Sequence, residues 1–365
     1  MIIVAILALC GAVYNLLSIA AAIGFRLRRP KSGAYRPPIS ILKPLRGRDP
    51  MFYEALRSHL TQDYGEFEIL CGVADPADAA LEDVRRLQRE FPNVPLSIHI
   101  TANDAPNAKT GSLEILARAA RHQILLVNDG DIRVEPDYLA RVVNPLADDS
   151  NGMVTCLYRG EGTSLAAFSE ALAIATDFTP GVLVAHLLGT GGFALGATMV
   201  FRKAGLAKIG GFASIRDYLA DDYQLGARIA GLCGRVVLSD VVVSTGLGSV
   251  SWPAAWKLQV RWARTIRVSR PGGYWGMLLT QTTLWSVLAA FAGFGQVAVV
   301  GILLRVAAAA SALWALRDFG VLKLPAVPLR DLAGAVVWVA GLGGSTVEWR
   351  GVRLRLYRDG RMGRL

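Results

Sequence analysis

Charge is missing from long stretches of this chain. No charged residue occurs from Ile2 to Phe25, 24 residues, or from Trp275 to Leu304, thirty residues. The first run exceeds the roughly 20 residues needed to cross a bilayer. No Lys or Arg precedes it, which argues against a cleaved signal peptide. The basic residues Arg26, Arg28, Arg29 and Lys31 follow it instead, and the positive-inside rule then predicts an anchor with the chain after it in the cytoplasm. Cysteine and histidine are scarce too, four of each among 365 residues. Cys10, Cys71, Cys156 and Cys233 lie far apart with no metal-ligand spacing, and the histidines form no cluster. A zinc site and a disulfide framework are both excluded, leaving reduced, mostly buried thiols. There is no internal repeat and no low-complexity linker.

What is present is apolar and basic. The chain is 53% hydrophobic with a mean hydropathy of +0.37, too apolar for an ordinary soluble enzyme. Its net charge of +10 gathers at Arg26–Arg48, Lys257–Arg270 and the tail from Arg350, all beside apolar segments. Such clusters bind anionic lipid headgroups, which makes a membrane the expected partner and nucleic acid not one. The expected organisation is an anchor at 1–25, a cytoplasmic domain at 26–251 and a basic interfacial segment at 252–274. A C-terminal membrane region at 275–349 and a basic cytoplasmic tail at 350–365 complete it. Two spans are expected between Gly276 and Leu316, with Arg305 near an interface or facing protein, and a third span or re-entrant segment after Asp331. Six arginines against one aspartate in the tail favour a cytoplasmic end.

Within 26–251, strand and helix patterns alternate. Strands are expected at 39–42, 68–73, 96–100 and 124–127, with helices at 51–62, 77–91, 110–121 and 136–143. Alternation of this kind implies an α/β domain with a mostly parallel, Rossmann-like sheet.

Two acids, Asp129 and Asp131, follow the apolar run Ile124–Val127. Carboxylates at the carboxyl end of a buried parallel strand lie where open α/β sheets bind ligands. Paired oxygen ligands there suit a hard cation bridging phosphates, Mg²⁺ or Mn²⁺, although an isolated Asp-x-Asp also serves as a polar turn. Asp75 ends the strand at 68–73 and can accept hydrogen bonds from a base or a ribose. Lys43, in Lys-Pro-Leu-Arg-Gly, sits in a turn able to approach a nucleotide, and Lys109 precedes a helix where a diphosphate could meet it. Asp221 and Asp222 open a helix running to Leu232. Acids suit a first helical turn electrostatically, and one of them could deprotonate an acceptor hydroxyl. Arg261, Trp262, Arg264, Arg267 and Arg270 form a basic stripe near the apolar territory.

Lys43-Pro44-Leu45, Asp75, Asp129-Gly130-Asp131-Ile132-Arg133-Val134, Ala220-Asp221-Asp222-Tyr223 and Arg261-Trp262 occur in the order found in ceramide glucosyltransferases. The phrase Arg261-Trp262-Ala263-Arg264-Thr265-Ile266-Arg267 resembles the bacterial hopanoid-associated glycosyltransferases more closely still. The resemblance runs from about Pro38 to Tyr274. It implies a nucleotide-diphospho-sugar transferase fold with transmembrane helices at both ends. It further implies an inverting transfer of a hexose from a UDP-sugar, UDP-glucose or UDP-N-acetylglucosamine, to a ceramide- or hopanoid-like lipid hydroxyl at the cytoplasmic face of a bacterial inner membrane. By the same resemblance Asp75 binds the nucleotide, Asp129 and Asp131 hold the metal and diphosphate, and Asp222 is the catalytic base. The family's last signature is Gln or Arg, two spacers, then Arg-Trp. Here Leu258 stands three before Arg261 and Gln259 two before, so Arg261 and Trp262 are carried over and Gln259 is not. Two other readings remain: a processive polysaccharide synthase, which needs more spans, and a non-catalytic scaffold, which need not keep all four acids.

Overall fold

A computed structural model describes residues 1–28, 33–349 and 351–365. Arg29 and Lys31 of the basic cluster, and Arg350 of the tail, lie outside the described residues. The chain divides into two compact units, one of residues 29–161 and 191–248, the other of 1–28, 162–190 and 249–365. The stretch 26–251, expected as one domain, is therefore divided, because Gly162–Thr190 groups with the apolar helices.

The first unit is built on an eight-stranded sheet. Its strands are β1 (Ile39–Leu45), β2 (Phe67–Val73), β3 (Leu96–Ile100), β4 (Ile124–Val127), β5 (Ile132–Arg133), β6 (Asn151–Gly162), β7 (Met199–Arg202) and β8 (Arg235–Gly248). The spatial order is β3-β2-β1-β4-β7-β6-β8-β5. The parallel core expected from the alternation is β3-β2-β1-β4; β7 and β6 extend it through antiparallel pairings, and β8 follows with β5 antiparallel to it. Side chains alternate across each strand, which explains why both faces read as apolar. Ile39, Ile41, Ile69 and Leu126 face the helices Phe52–Leu60, Ala80–Glu90 and Tyr138–Val143. Leu42, Leu70, Leu125 and Val127 face the helices Ala108–Ala119 and Asp221–Leu232. Because β1, β2 and β4 are parallel, the loops that follow them leave one edge of the sheet together. At β4 the neighbours change from parallel β1 to antiparallel β7, a switch of the kind that opens a crevice for ligands.

The second unit holds four helical segments long and apolar enough to cross a membrane: Ile2–Arg26, Leu165–Leu187, Gly295–Ala315 and Leu322–Leu342. The first of these is inside out by the standard of a soluble helix. It buries Ala5, Ala8, Gly11, Ala12, Asn15 and Ser18 while exposing Ile2, Ile3, Ile6, Leu9, Val13 and Leu16. Small residues inside and branched ones outside suit a surface solvated by lipid. A Cβ on Gly11 would sit 2.6 Å from Thr282 Oγ1, so this close helix approach requires a glycine.

The uncharged run from Trp275 is uneven in helix length. It breaks into short helices at Pro271–Leu279 and Thr282–Phe291, and only Gly295–Ala315 reaches spanning length, with Gly293 left-handed (φ +87°) at the break. The segment Leu165–Leu187 escaped notice because Glu170 and Asp177 dilute its hydropathy to 1.2, against 2.4 for Ile2–Arg26. Arg305 faces protein and is buried. The basic tail folds into a three-stranded antiparallel sheet, β9 (Thr346–Trp349), β10 (Val352–Leu356) and β11 (Met362–Arg364).

Candidate active site

The loop after β4 carries Asp129 and Asp131, and it rests on buried polar groups. Lys43 is fully buried, and its ammonium donates to the Asp129 carbonyl oxygen at 3.1 Å. Burial lowers its pKa to about 8. Its place is thus beneath the loop, not on an exposed turn. Beside it, Asn128 and His59 are both buried, with Asn128 Nδ2 2.8 Å from His59 Nε2 and His59 Nδ1 2.9 Å from the Ala55 carbonyl. Burial, with the Lys43 charge nearby, keeps His59 neutral.

Asp131 accepts a hydrogen bond from the Thr245 hydroxyl of β8, and its carbonyl oxygen accepts one from the Gly246 amide at 3.1 Å. Burial pushes the Asp131 carboxyl above the usual range, and the neighbouring Asp129 adds to this against the Thr245 hydrogen bond.

Asp222 reaches the same place from the helix Asp221–Leu232. A Cβ on Gly226 would fall 2.2 Å from the Ala194 amide nitrogen, so only a glycine lets this helix press on the segment before β7. The approach brings Asp222 Oδ2 to the Gly196 amide, from which it accepts at 3.0 Å, while Oδ1 accepts from the Tyr223 amide at 2.7 Å. A Cβ on Gly196 would lie 3.4 Å from Asp129 Oδ2 and 3.4 Å from Asp222 Oδ2. Acids from distant parts of the chain thus flank one glycine. Burial raises the Asp222 pKa, and Asp221 raises it further while Lys109 opposes the change. The rings of Phe193 and Tyr223 stack alongside, 6.3 Å apart.

Lys109 ties the acids together. It sits in the first turn of Ala108–Ala119, whose N-cap Asn107 accepts from the Thr110 amide and donates to the Tyr218 carbonyl at 2.9 Å. Its ammonium lies 2.7 Å from Asp129 Oδ1 and 3.4 Å from Asp221 Oδ2, with only 16% of the side chain exposed. Burial works against its charge, but Asp129 and Asp221 outweigh burial and hold it protonated.

Asp75 is exposed just beyond the end of β2, where Oδ1 accepts from the Ala77 amide at 2.8 Å. Arg261 and Trp262 belong to the other unit, in the helix Trp252–Ser269, where the Arg261 guanidinium lies 5.9 Å from the Trp349 ring centroid. The structure therefore gathers Asp129, Asp131, Asp221, Asp222 and Lys109, with Lys43 underneath. Gly196, Gly226 and Thr245 were not anticipated, although the glycine-rich run Gly189-Thr190-Gly191-Gly192 before Gly196 was a usable signal of close backbone packing.

No group of three or more His, Cys, Asp or Glu able to hold a metal occurs among the described residues. Two carboxylates, one of them buried and disfavoured as an anion by the other, nonetheless fit a hard cation that takes its remaining oxygens from phosphate and water. The protein donors alone make a weak site.

The profile of glycosyl transferase family 21 matches residues 1–362. Ceramide glucosyltransferase 1 of Caenorhabditis elegans is 29% identical over 190 residues, 51% of this chain and 41% of the relative. Ceramide glucosyltransferase 3 of the same organism is 24% identical over 241 residues, 64% of this chain and 51% of the relative. The chain thus spans about half the length of these curated relatives. Among solved structures, a mannosyltransferase from Pyrobaculum calidifontis in complex with GDP-Man and Mn²⁺ shares the fold. It covers 93% of this chain and 96% of its own, with a TM-score of 0.58 and 19% identity.

Proposed function

Because the chain belongs to glycosyl transferase family 21, we propose that it moves a hexose from a UDP-sugar, UDP-glucose or UDP-N-acetylglucosamine, to the hydroxyl of a ceramide- or hopanoid-like membrane lipid. The reaction is a single displacement with inversion at the cytoplasmic membrane face, in a bacterial inner membrane. One observation carries this reading: Asp129 and Asp222 both come up to Gly196, with Lys109 bridging Asp129 to Asp221.

In this scheme Asp222 is the base. Its two amide hydrogen bonds fix the carboxylate, and burial beside Asp221 raises its basicity. It takes the proton of the acceptor hydroxyl as that oxygen bonds to the anomeric carbon and the bond from that carbon to the UDP oxygen breaks. Asp131 and Asp129 would hold Mg²⁺ or Mn²⁺, which when bound neutralises charge on the departing diphosphate. Lys109, kept protonated, meets the same diphosphate, and Asp221 keeps it in place. Asp75 takes the nucleoside. Lys43 supports the Asp129 loop from below. Arg261 and Trp262 belong to the basic interfacial segment 252–274, where arginine and tryptophan favour the membrane boundary.

The test is incorporation of radiolabelled UDP-glucose and UDP-N-acetylglucosamine by membranes containing the full chain. Label is expected in solvent-extractable lipid and to vanish with Asp222→Asn. Label in insoluble polymer, or none at all from a folded protein with either donor, would overturn the reading.

A further inference from the structure

Among the described residues of the apolar unit two arginines are buried, and they differ in how fully they are used. Arg305, midway along Gly295–Ala315, has every nitrogen engaged. Nε and Nη2 donate to Asp331 at 2.8 and 2.6 Å, Nη1 to the Thr176 carbonyl at 3.0 Å, and Nη2 also to Asp177 at 2.8 Å. The Thr283 hydroxyl completes the set by donating to Asp331. This is a closed clamp between helices.

Arg330 is different. It is 7% exposed, and Nη2 donates to Gln259 Oε1 at 2.7 Å, yet Nε and Nη1 are buried without a hydrogen-bond partner. Gln259 passes the chain on, its Nε2 donating to Glu170 Oε2 at 2.6 Å. Glu170 is 1% exposed, and its Oε1 is also buried without a partner. Gly334, one turn after Arg330, adds no side chain there, and a Cβ at that position would lie 3.1 Å from Nη1. The relay therefore has unused donors at one end and an unused acceptor at the other. Groups so deeply buried are costly to leave unpaired, most of all among helices that face lipid.

The charges limit what can satisfy them. Arg305, Arg330 and the nearby Arg261 face three acids, Glu170, Asp177 and Asp331, so the charges balance. No positive charge is left over for a phosphate. A neutral group that both accepts and donates is the complement.

We propose that Arg330, Gln259 and Glu170 form a binding site for the headgroup of a neutral membrane lipid bearing an amide and a hydroxyl, Arg330 donating to its oxygen and Glu170 accepting from its N–H or O–H. This deepens the lipid-acceptor reading above and rests on it.

The full chain in detergent is titrated with a short-chain fluorescent ceramide, with diacylglycerol and phosphatidylglycerol as competitors, while UDP binding is followed separately. Ceramide is expected to bind and to resist both competitors. Glu170→Gln, which keeps shape and removes the charge, and Arg330→Gln should each weaken ceramide binding by about tenfold or more and leave UDP binding unchanged. Unchanged ceramide affinity in a folded Glu170→Gln protein overturns the inference, as does equal displacement by phosphatidylglycerol. If the wild type binds ceramide selectively but transfers no sugar, the site stands and the transferase reading falls. If it transfers sugar while both variants keep the wild-type KM for the lipid, the site falls and the transferase reading stands.

Discussion

The sheet unit and the apolar unit each bury a cluster of opposite charges, and the two clusters are balanced differently. In the sheet unit four acids, Asp129, Asp131, Asp221 and Asp222, gather near two ammoniums, Lys109 and the buried Lys43, whose own hydrogen bond goes to a carbonyl. Asp129 keeps 44% of its side chain exposed. In the apolar unit Arg305 and Arg330, with Arg261 close enough to act on Glu170, face the three acids Glu170, Asp177 and Asp331, and Arg305 with its acid partner Asp331 is only 6% exposed on each side. An open crevice can hold excess negative charge because water screens it and a cation can enter. A site walled by apolar helices has no such outlet, so its charges must pair within the protein. The size of the imbalance is thus a clue to the charge of the ligand: a cation with a diphosphate for the first cluster, a neutral headgroup for the second.

The largest expected effect lies in the unbalanced cluster. Asp222→Asn keeps size and can still occupy the place beside the Gly196 amide, but it cannot take a proton. Transfer should fall by a factor of about 10² to 10⁴, the range for losing a general base, while UDP affinity and thermal midpoint hold. Turnover near that of the wild type would remove Asp222 from the mechanism. The next largest effect belongs to the balanced cluster. Arg305→Met leaves Asp331 and Asp177 without their main partner and should cost about 3–5 kcal/mol of stability. Pairing it with Asp331→Leu should recover part of that loss. If single and double variants unfold at one midpoint, the clamp contributes nothing and the contrast between the clusters disappears.

The parallel core was readable from the chain because buried strands and amphipathic helices alternate there. The expected strand Ile124–Val127 matches the observed bounds, and the helix expected to open within 219–223 and run to Leu232 is observed at Asp221–Leu232. The antiparallel extension was not read: β6 and β8 are rich in β-branched residues, but pattern alone does not give their direction and their partners are far along the chain. Asp129, Asp131 and Asp222 were found because acids at strand ends and helix starts stand out. Gly196 and Gly226 were not, because a glycine that only permits close approach has no pattern of its own. The segment Leu165–Leu187 was hidden by the same acids that now give it a role: Glu170 and Asp177 lower its hydropathy, and each joins a buried network. Lys43 looked like a nucleotide contact in a turn. Only the sheet register, which sets it opposite Cys71 within β1, shows that it points beneath the loop.

A smaller effect would sharpen the account of the unbalanced cluster. Lys109 lies 2.7 Å from Asp129 and supplies the charge that a metal would otherwise bring. Removing it with Lys109→Met should let Mn²⁺ bind roughly tenfold more tightly when no donor is present, as one competing positive charge is lost. Calorimetry or the free-Mn²⁺ spin-resonance signal reads this without any turnover. The same variant should bind UDP with Mn²⁺ less tightly if Lys109 meets the diphosphate as proposed. Mn²⁺ affinity that stays the same or falls would mean that Lys109 and the metal do not share Asp129.

The smallest expected effect is the most local. A methyl group at Gly196 would make ordinary contacts of 3.4 Å with Asp129 and Asp222, and the backbone there is not left-handed, so Gly196→Ala should fold. Its stability should stay within about 1 kcal/mol of wild type, with slight stabilisation from a less flexible unfolded chain. Yet the methyl would touch both carboxylates, which are assigned to different sides of one reaction, the metal-diphosphate side and the base. If substrate passes between them, KM for donor or acceptor should rise by about tenfold or less, as expected for one added methyl in a fitted site, with no change in midpoint. If donor KM, acceptor KM and kcat all stay at wild-type values, the two acids meet at Gly196 without sharing a substrate, and the charge imbalance must be explained by each acid separately.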